Sequence, residues 1–288
     1  MVRGLTIISY NEALKTANNR LAEAGIADAH IDARILILGA CRFTNANLVS
    51  RGREPMPTGK RQLYDGYINR RLEGEPVQRI LGQCEFYSRE FLISGETLVP
   101  RQDTETLIDA AINQYEKDSG MLRILEFGTG SGIIAISLAA ELESVQITAT
   151  DISLDAISTA RQNAQRHGVA KEISFVCKDG LNGIVGPFNW IVSNPPYIPS
   201  SEIPNLSIEV GKHDPHGALD GGEDGLDFYR QILKFAGNNL AQDGIIFLEI
   251  GFDQEDAVTD IAKNCGFIVD SAVKDLPGIV RTLVIKRK

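Results

Sequence analysis

Residues 122–142 read LRILEFGTGSGIIAISLAAEL, and the fold turns on how they are divided. The opening run, Leu122 to Phe127, is apolar and ends in a carboxylate and an aromatic ring. The closing run, from Ile133 onward, is an apolar helix former. Between them lies Gly128-Thr129-Gly130-Ser131-Gly132. A strand that passes through a glycine turn straight into a helix is the opening unit of a parallel α/β sheet. Glycine allows the tight turn and a close backbone approach, and the helix N-terminus offers unpaired N–H groups to a ligand. The same turn also serves as a plain connection, so taken alone it leaves cofactor binding and a structural role both open. Its G-x-G-x-G spacing differs from the dinucleotide G-x-G-x-x-G, which argues against NAD.

Downstream the alternation continues. VQITATD (145–151) reads as a strand, LDAISTARQNAQRHG (154–168) as a helix, and EISFVCKD (172–179) and NWIVSNPPY (189–197) as strands. GLDFYRQILKFAGNNLAQDG (225–244) reads as a helix, IIFLEIG (245–251) as a strand and QEDAVTDIAKNCG (254–266) as a helix. FIVDSAVKD (267–275) and RTLVIKR (281–287) are strands with no helix between them, so they pair as a hairpin and put an antiparallel strand into the sheet. The expected class is α/β, a doubly wound and mostly parallel sheet.

Upstream the character changes. Ser9-Tyr10-Asn11-Glu12 has capping-box spacing ahead of ALKTANNRLAEAG (13–25), and helical periodicity recurs in ADAHIDARILILGA (27–40) and GKRQLYDGYINRRLEGEP (59–76), with REPMPTG (53–59) as a loop. CEFYSREFLISGETL (84–98) alternates around Ser88-Arg89 like a short hairpin. The expected organisation is therefore a helical domain over 1–83, a hairpin linker over 84–98 and an α/β domain over 99–288. Net charge over the 288 residues is −9, yet residues 1–80 carry 12 Lys and Arg against 8 Asp and Glu, so the acidity resides in the rest. That balance argues against a protein dedicated to duplex DNA and suggests modules with different partners. Arg53, Lys60, Arg61, Arg70 and Arg71 are expected to form an exposed basic face for an acidic partner. The four cysteines show no CxxC spacing, no run reaches 18 apolar residues and the first 15 residues have no signal-peptide core. A soluble cytoplasmic protein without structural zinc is expected.

The chemistry-bearing residues collect at strand ends. Glu126, Gly128, Asp151, Asp179 and Asn194 all fall at the carboxyl ends of successive strands, where such sheets bind ligands. Asp151 stands 23 residues after Gly128, the region where a carboxylate meets ribose hydroxyls, although each of these residues also suits a helix cap or loop. Ser193-Asn194-Pro195-Pro196-Tyr197 leaves its strand through two prolines, which fix φ and donate nothing. Such a rigid patch of acceptors beside an aromatic ring suits a planar N–H₂ group, since holding both N–H bonds orients the nitrogen and raises its electron density for methyl transfer. His213 and His216 lie in a Pro/Gly loop without an obvious further ligand, so no metal is expected. No G-x-S-x-G nucleophile motif occurs.

EFGTGSG (126–132), ATDIS (149–153) and SNPPYI (193–198) together resemble the class I S-adenosylmethionine-dependent methyltransferases acting on planar nitrogens. GEPVQRILGQCEFYSREFLISGETLVPRQDTETLID (74–109), ALDGGEDGLDFYRQIL (218–233) and LEIGFDQ (248–254) narrow the resemblance to the release factor glutamine methyltransferases, the HemK/PrmC family. The resemblance spans essentially the whole chain. It implies a five-helix-like N-terminal substrate-recognition domain, a hairpin linker and a Rossmann-like seven-stranded catalytic domain. The implied reaction is N5-methylation of the glutamine in the Gly-Gly-Gln loop of class 1 peptide chain release factors, with S-adenosylmethionine as donor and S-adenosylhomocysteine as product. On this resemblance Glu126, Gly128, Thr129, Gly130, Ser131 and Gly132 border the methionine end of the cofactor and Asp151 the ribose. Asp179 and Gly180 border the adenine, and Asn194 touches the cofactor. Asn194, Pro195, Pro196 and Tyr197 hold the glutamine amide, with Asn194, Pro195 and Tyr197 carrying the catalysis. Arg101, Thr104 and Glu105 lie near the cofactor and the domain junction. A monomer is implied. The chain departs from the family pattern at Glu126-Phe127, where Asp-Leu is common, at Gln102, where proline is frequent, and at Asp214-Pro215, where Glu-Pro is usual. An adenine-N6 methyltransferase of DNA or RNA shares the NPPY motif and is the runner-up; a non-catalytic cofactor-binding scaffold is the third reading.

Overall fold

The computed structural model describes residues 8–117 and 120–288. The chain divides into two compact units, residues 1–82 and 83–288; the opening residues 1–7, where the leader-free reading falls, lie outside the described residues.

Among its described residues the first unit holds five helices, α1 (Tyr10–Glu23), α2 (Ala29–Cys41), α3 (Asn45–Arg51), α4 (Thr58–Leu72) and α5 (Val77–Leu81). The predicted capping box forms at α1, with Ser9 N donating to Glu12 Oε2 at 2.7 Å and Glu12 N to the Ser9 hydroxyl at 3.3 Å; such a cap stabilises a helix by about 1 kcal/mol. Leu21, Leu36, Ile37 and Ile68 close the core, and the buried Tyr64 hydroxyl donates to Ala33 O at 2.9 Å. Periodicity over windows of 11 or more residues passes over α3 and α5, which run for seven and five residues. The expected basic face does not form as drawn. Arg71 is buried and bonds Asp32 at 2.6 Å, because α4 turns it toward α2. Arg70 is exposed as expected but paired with Glu75, while the half-buried Arg61 pairs with Asp65 and the half-buried Lys60 donates to Ala40 O. Arg53 is exposed.

The second unit begins with a hairpin, β1 (Gln83–Phe86) and β2 (Arg89–Leu92). Its two-residue turn puts Tyr87 and Ser88 at φ +48° and +57°, the primed geometry that matches strand twist. Non-glycine residues pay strain there, and Tyr87 is held by N–H donation to Glu105 Oε1 and hydroxyl donation to Asp109 Oδ1. Then come α6 (Glu105–Asn113), β3 (Leu122–Phe127), α7 (Ile133–Glu141), β4 (Val145–Asp151), α8 (Leu154–Arg166), β5 (Ile173–Cys177), β6 (Phe188–Ser193), the single-turn α9 (Ile208–Gly211), α10 (Asp227–Asn239), β7 (Leu240–Glu249), α11 (Glu255–Asn264), β8 (Phe267–Lys274) and β9 (Val280–Arg287). The seven-stranded sheet has the order β5-β4-β3-β6-β7-β9-β8. β9 runs antiparallel to both neighbours and the other pairings are parallel. Period-2 alternation sends Ile124, Trp190, Val192 and Phe247 to a face packed with α6 and α7, and Leu125, Ile191, Ile246 and Leu248 to a face packed with α10 and α11. Both faces are thus covered, which is why these strands read as continuous apolar runs. β7 starts at Leu240 rather than at Ile245 as expected, because Leu240 pairs with Phe188 across a bulge; the polar AQDG segment masks this in the sequence.

Candidate functional site

The order of the sheet reverses between β3 and β6, and the site lies where their carboxyl ends diverge. Gly128, Gly130 and Gly132 take φ of +75°, +54° and +85°, a path that L side chains adopt only with strain. A Cβ on Gly132 would come within 2.9 Å of Ile136 Cδ1 and 3.1 Å of Ala160 Cβ. Gly128 N and Thr129 N both donate to Thr150 O at 2.9 Å, and Gly130 N donates to Asp151 Oδ2 at 2.8 Å. The other Asp151 oxygen accepts from Ser153 N at 2.9 Å. The glycine turn and the carboxylate at the end of β4 are therefore one object. Asn163, fully buried in α8, fastens it from behind by donating to Ser131 O at 2.8 Å and exchanging two bonds with Leu92 of the hairpin.

Glu126 is fully buried under this turn. Its Oε2 accepts from the Thr129 hydroxyl at 2.6 Å, while Oε1 makes no hydrogen bond among the described residues. Burial pushes its carboxyl up to about 8, with the Asp151 charge adding to the rise and the Thr129 bond opposing it. At the end of β6, the Ser193 hydroxyl donates to Phe127 O at 2.7 Å and Asn194 Nδ2 donates to Thr104 Oγ1 at 3.0 Å. Beyond it the chain pairs with the ALDGG loop through Ile198 N to Leu219 O and Gly221 N to Ile198 O. A Cβ on Gly225, at φ +75°, would lie 2.4 Å from Tyr197 O, so that glycine lets the loop lie on the Pro-Pro-Tyr backbone. Gln254 fixes the same carbonyl by donating to it at 2.9 Å. Burial pushes the Tyr197 phenol up to about 12.

A cavity of about 550 Å³ opens here, within the range of small-molecule sites. Gly128, Thr129, Gly130, Ser131, Asp151, Asp179, Gly180, Asn194 and Pro196 all line it, as do Arg101 and Thr104. Glu126, Gly132, Pro195 and Tyr197 are not among its lining residues and act, if at all, from behind or beside it. Glu105 holds the hairpin turn instead. Among the residues missed in the sequence, Ile133, Ile134, Ile152 and Phe228 supply apolar walls; Asp214, where the family pattern has Glu, is buried and receives Arg101 Nη2 at 2.9 Å. Among the described residues no group of three or more His, Cys, Asp or Glu could hold a metal ion.

The PrmC N-terminal domain family matches residues 12–82, and the methyltransferase small domain family matches residues 104–208. The chain is 42% identical to the release factor glutamine methyltransferase of Agrobacterium fabrum over 95% of its own length and 96% of that protein's. The chain belongs to the release factor glutamine methyltransferase family. The family's enzyme from Bradyrhizobium diazoefficiens is 40% identical, over 97% of this chain and 95% of that protein. A solved structure of a ribosomal protein L11 methylase from Lactobacillus delbrueckii subsp. bulgaricus has a TM-score of 0.50 at 21% identity, covering 67% of this chain and 82% of that one. At that identity the likeness is one of fold, and the fold is that of class I S-adenosylmethionine-dependent methyltransferases. No helix among the described residues is long and apolar enough to cross a membrane.

Proposed function

We propose that the chain methylates the side-chain nitrogen of the glutamine in the Gly-Gly-Gln loop of class 1 peptide chain release factors, with S-adenosylmethionine as donor. The observation that carries this reading is the meeting, at one cavity, of the Asp151-clamped glycine turn and Asn194 at the head of Pro195-Pro196-Tyr197. The residues fit the cofactor. The glycine turn leaves room for backbone approach, the Asp151 oxygens keep lone pairs beyond those used by Gly130 and Ser153, and Ile152 and Phe228 offer an apolar face to a purine. Asp151 would accept the ribose hydroxyls, Asp179 and Gly180 would border the adenine, and residues 128–132 would border the methionine end. Glu126, beneath the turn, would meet the methionine ammonium only through the turn it supports.

S-adenosylmethionine supplies a methyl group on a sulfonium, so the new N–C bond forms as the S–C bond breaks and one amide proton leaves to solvent. The protein's task is to orient the nitrogen. Asn194 Nδ2 donates to Thr104 Oγ1, and its Oδ1 takes no hydrogen bond among the described residues. That oxygen and the Pro195 carbonyl would accept the two N–H bonds of the glutamine amide, and Tyr197 would flank its plane. Tyr197 stays neutral at physiological pH, since burial raises its pKa. Residues 1–82 would serve docking of the protein substrate, in keeping with their match to the PrmC N-terminal domain family. The test is transfer of labelled methyl from the cofactor to an intact release factor, to the same factor with its loop Gln→Glu, and to DNA. Label on the first alone supports the reading; label on DNA alone favours the adenine-N6 alternative.

A further inference from the structure

Glu249 ends β7 deep in the sheet, 1% exposed. The parallel register of Ser193 with Leu248 brings it beside Asn194. A buried carboxylate needs partners, yet its Oε2 has none among the described residues. The Thr104 hydroxyl and the Asn194 amide are the donors whose proximity favours its charged form. Thr104 Oγ1 already accepts Asn194 Nδ2 at 3.0 Å, so its single proton is left for Glu249. Behind Glu249, the Tyr229 hydroxyl donates to its backbone carbonyl at 3.1 Å and fixes the strand end. A primary amide has a donor end and an acceptor end of nearly equal shape. An acceptor cluster behind Asn194 decides which end faces the cavity.

We propose that Glu249, acting through Thr104, is a positioning residue that holds the Asn194 amide with its nitrogen inward and its oxygen toward the cavity, the orientation that accepts an N–H of a planar substrate group. This inference rests on the role given to Asn194 under the proposed function. It explains why LEIG, an otherwise apolar strand end, carries a carboxylate.

Groups from four parts of this unit face the cluster. Asp103 and Thr104 come from the turn before α6, Arg281 from β9, Tyr197 from the chain after β6 and Tyr229 from α10. Arg281 is shared with Asp103 at 3.0 Å and Asp275 at 3.1 Å. Burial pushes the Glu249 carboxyl up to about 7; the Thr104 bond, Arg281 and Asn194 oppose the rise and Asp103 adds to it. Both tyrosines are raised by burial and stay neutral. Ionised, Glu249 only accepts, and the Asn194 nitrogen stays inward. Protonated, it gains an O–H that an inward-turned Asn194 oxygen can meet, and the orientation is no longer unique. The acceptor orientation should therefore be lost as pH falls through about 7.

The experiment compares wild type with Glu249→Gln. For wild type, kcat for methyl transfer to an intact release factor should rise with pH through about 7. The variant should show a pH-independent kcat roughly tenfold below the wild-type high-pH plateau, less than the ~10²–10³ typical of deleting such a contact outright. Its affinity for S-adenosylhomocysteine should be unchanged, since Glu249 does not line the cavity. If Glu249→Gln does not fold, Thr104→Ser and Thr104→Val carry the test: the serine should keep kcat and the isosteric valine should lose it. A substrate-free readout separates this inference from the function. The side-chain NH₂ resonance of Asn194, assigned by its absence in Asn194→Asp, should titrate near pH 7 in wild type and not in Glu249→Gln. Wild type that titrates so but methylates no release factor refutes the substrate and leaves the positioning role standing. Equal pH profiles for wild type and Glu249→Gln, or equal kcat for Thr104→Ser and Thr104→Val, overturn the positioning role.

Discussion

Asp151→Asn is nearly isosteric, yet it should be costly. Two backbone donors converge on this side chain, Gly130 N–H on Oδ2 at 2.8 Å and Ser153 N–H on Oδ1 at 2.9 Å. Asparagine has one acceptor oxygen, so whichever way it turns, its NH₂ confronts one of these N–H groups. A donor left facing a donor costs about 1–3 kcal/mol. The substitution also removes the charge assistance from the proposed ribose contacts, worth about 1 kcal/mol. Together these amount to about 2–4 kcal/mol, which weakens binding by about 30- to 1000-fold. Calorimetric titration with S-adenosylhomocysteine measures it directly, and a parallel thermal melt separates loss of the site from loss of the fold. Asp151→Ala should weaken binding as well, without the donor clash. An Asp151→Asn protein that melts normally and binds within about threefold of wild type would refute the claim that this carboxylate organises the cofactor site.

Asn194→Ala should retain S-adenosylhomocysteine affinity but lose about 10²–10³ in kcat; single-turnover methyl transfer checks it, and near-normal turnover would remove Asn194 from the chemistry. Gly132→Ala should destabilise the protein by about 2–4 kcal/mol, from about 1–2 for an L residue at φ +85° and about 1–2 for crowding Ile136 and Ala160; a urea unfolding curve measures it. Glu126, raised by burial from the ordinary 4.5 to about 8, is protonated in the fold while ionised in the unfolded chain over that window. It therefore removes stability as pH climbs from about 4.5 to about 8, on the order of 5 kcal/mol in all. Glu126→Gln, which keeps an acceptor for Thr129, should be the more stable protein at pH 9 and show a flatter stability profile; matching profiles would mean Glu126 titrates normally.

The catalytic unit was legible where chemistry and geometry coincide in a short stretch. The glycine turn, Asp151 and the Asn-Pro-Pro-Tyr exit each also suit an ordinary connection, but they coincide at successive strand ends, and all but Pro195, Tyr197 and Gly132 of those positions line one cavity. Other elements were hidden for definite reasons. Helices α3 and α5 are shorter than a periodicity window. The start of β7 is polar because its pairing is interrupted by a bulge. Arg71 looked like surface charge until the fold placed Asp32 opposite it, 39 residues away. Thr104 and Glu249 meet Asn194 only through the order of the sheet, which joins β6 to β7 and brings in the turn before α6. Pairings across such sequence separations leave no local mark.

In the proposed reaction Asn194 and its neighbours present acceptors to a glutamine amide. Mass spectrometry of the Gly-Gly-Gln loop peptide from a release factor incubated with the protein and S-adenosylmethionine tests it most directly. Wild type should add one methyl group, located by fragmentation on the glutamine side chain, and Asn194→Ala should largely lose it. A methyl group on any other residue of the factor, or undiminished glutamine methylation by Asn194→Ala, would contradict it.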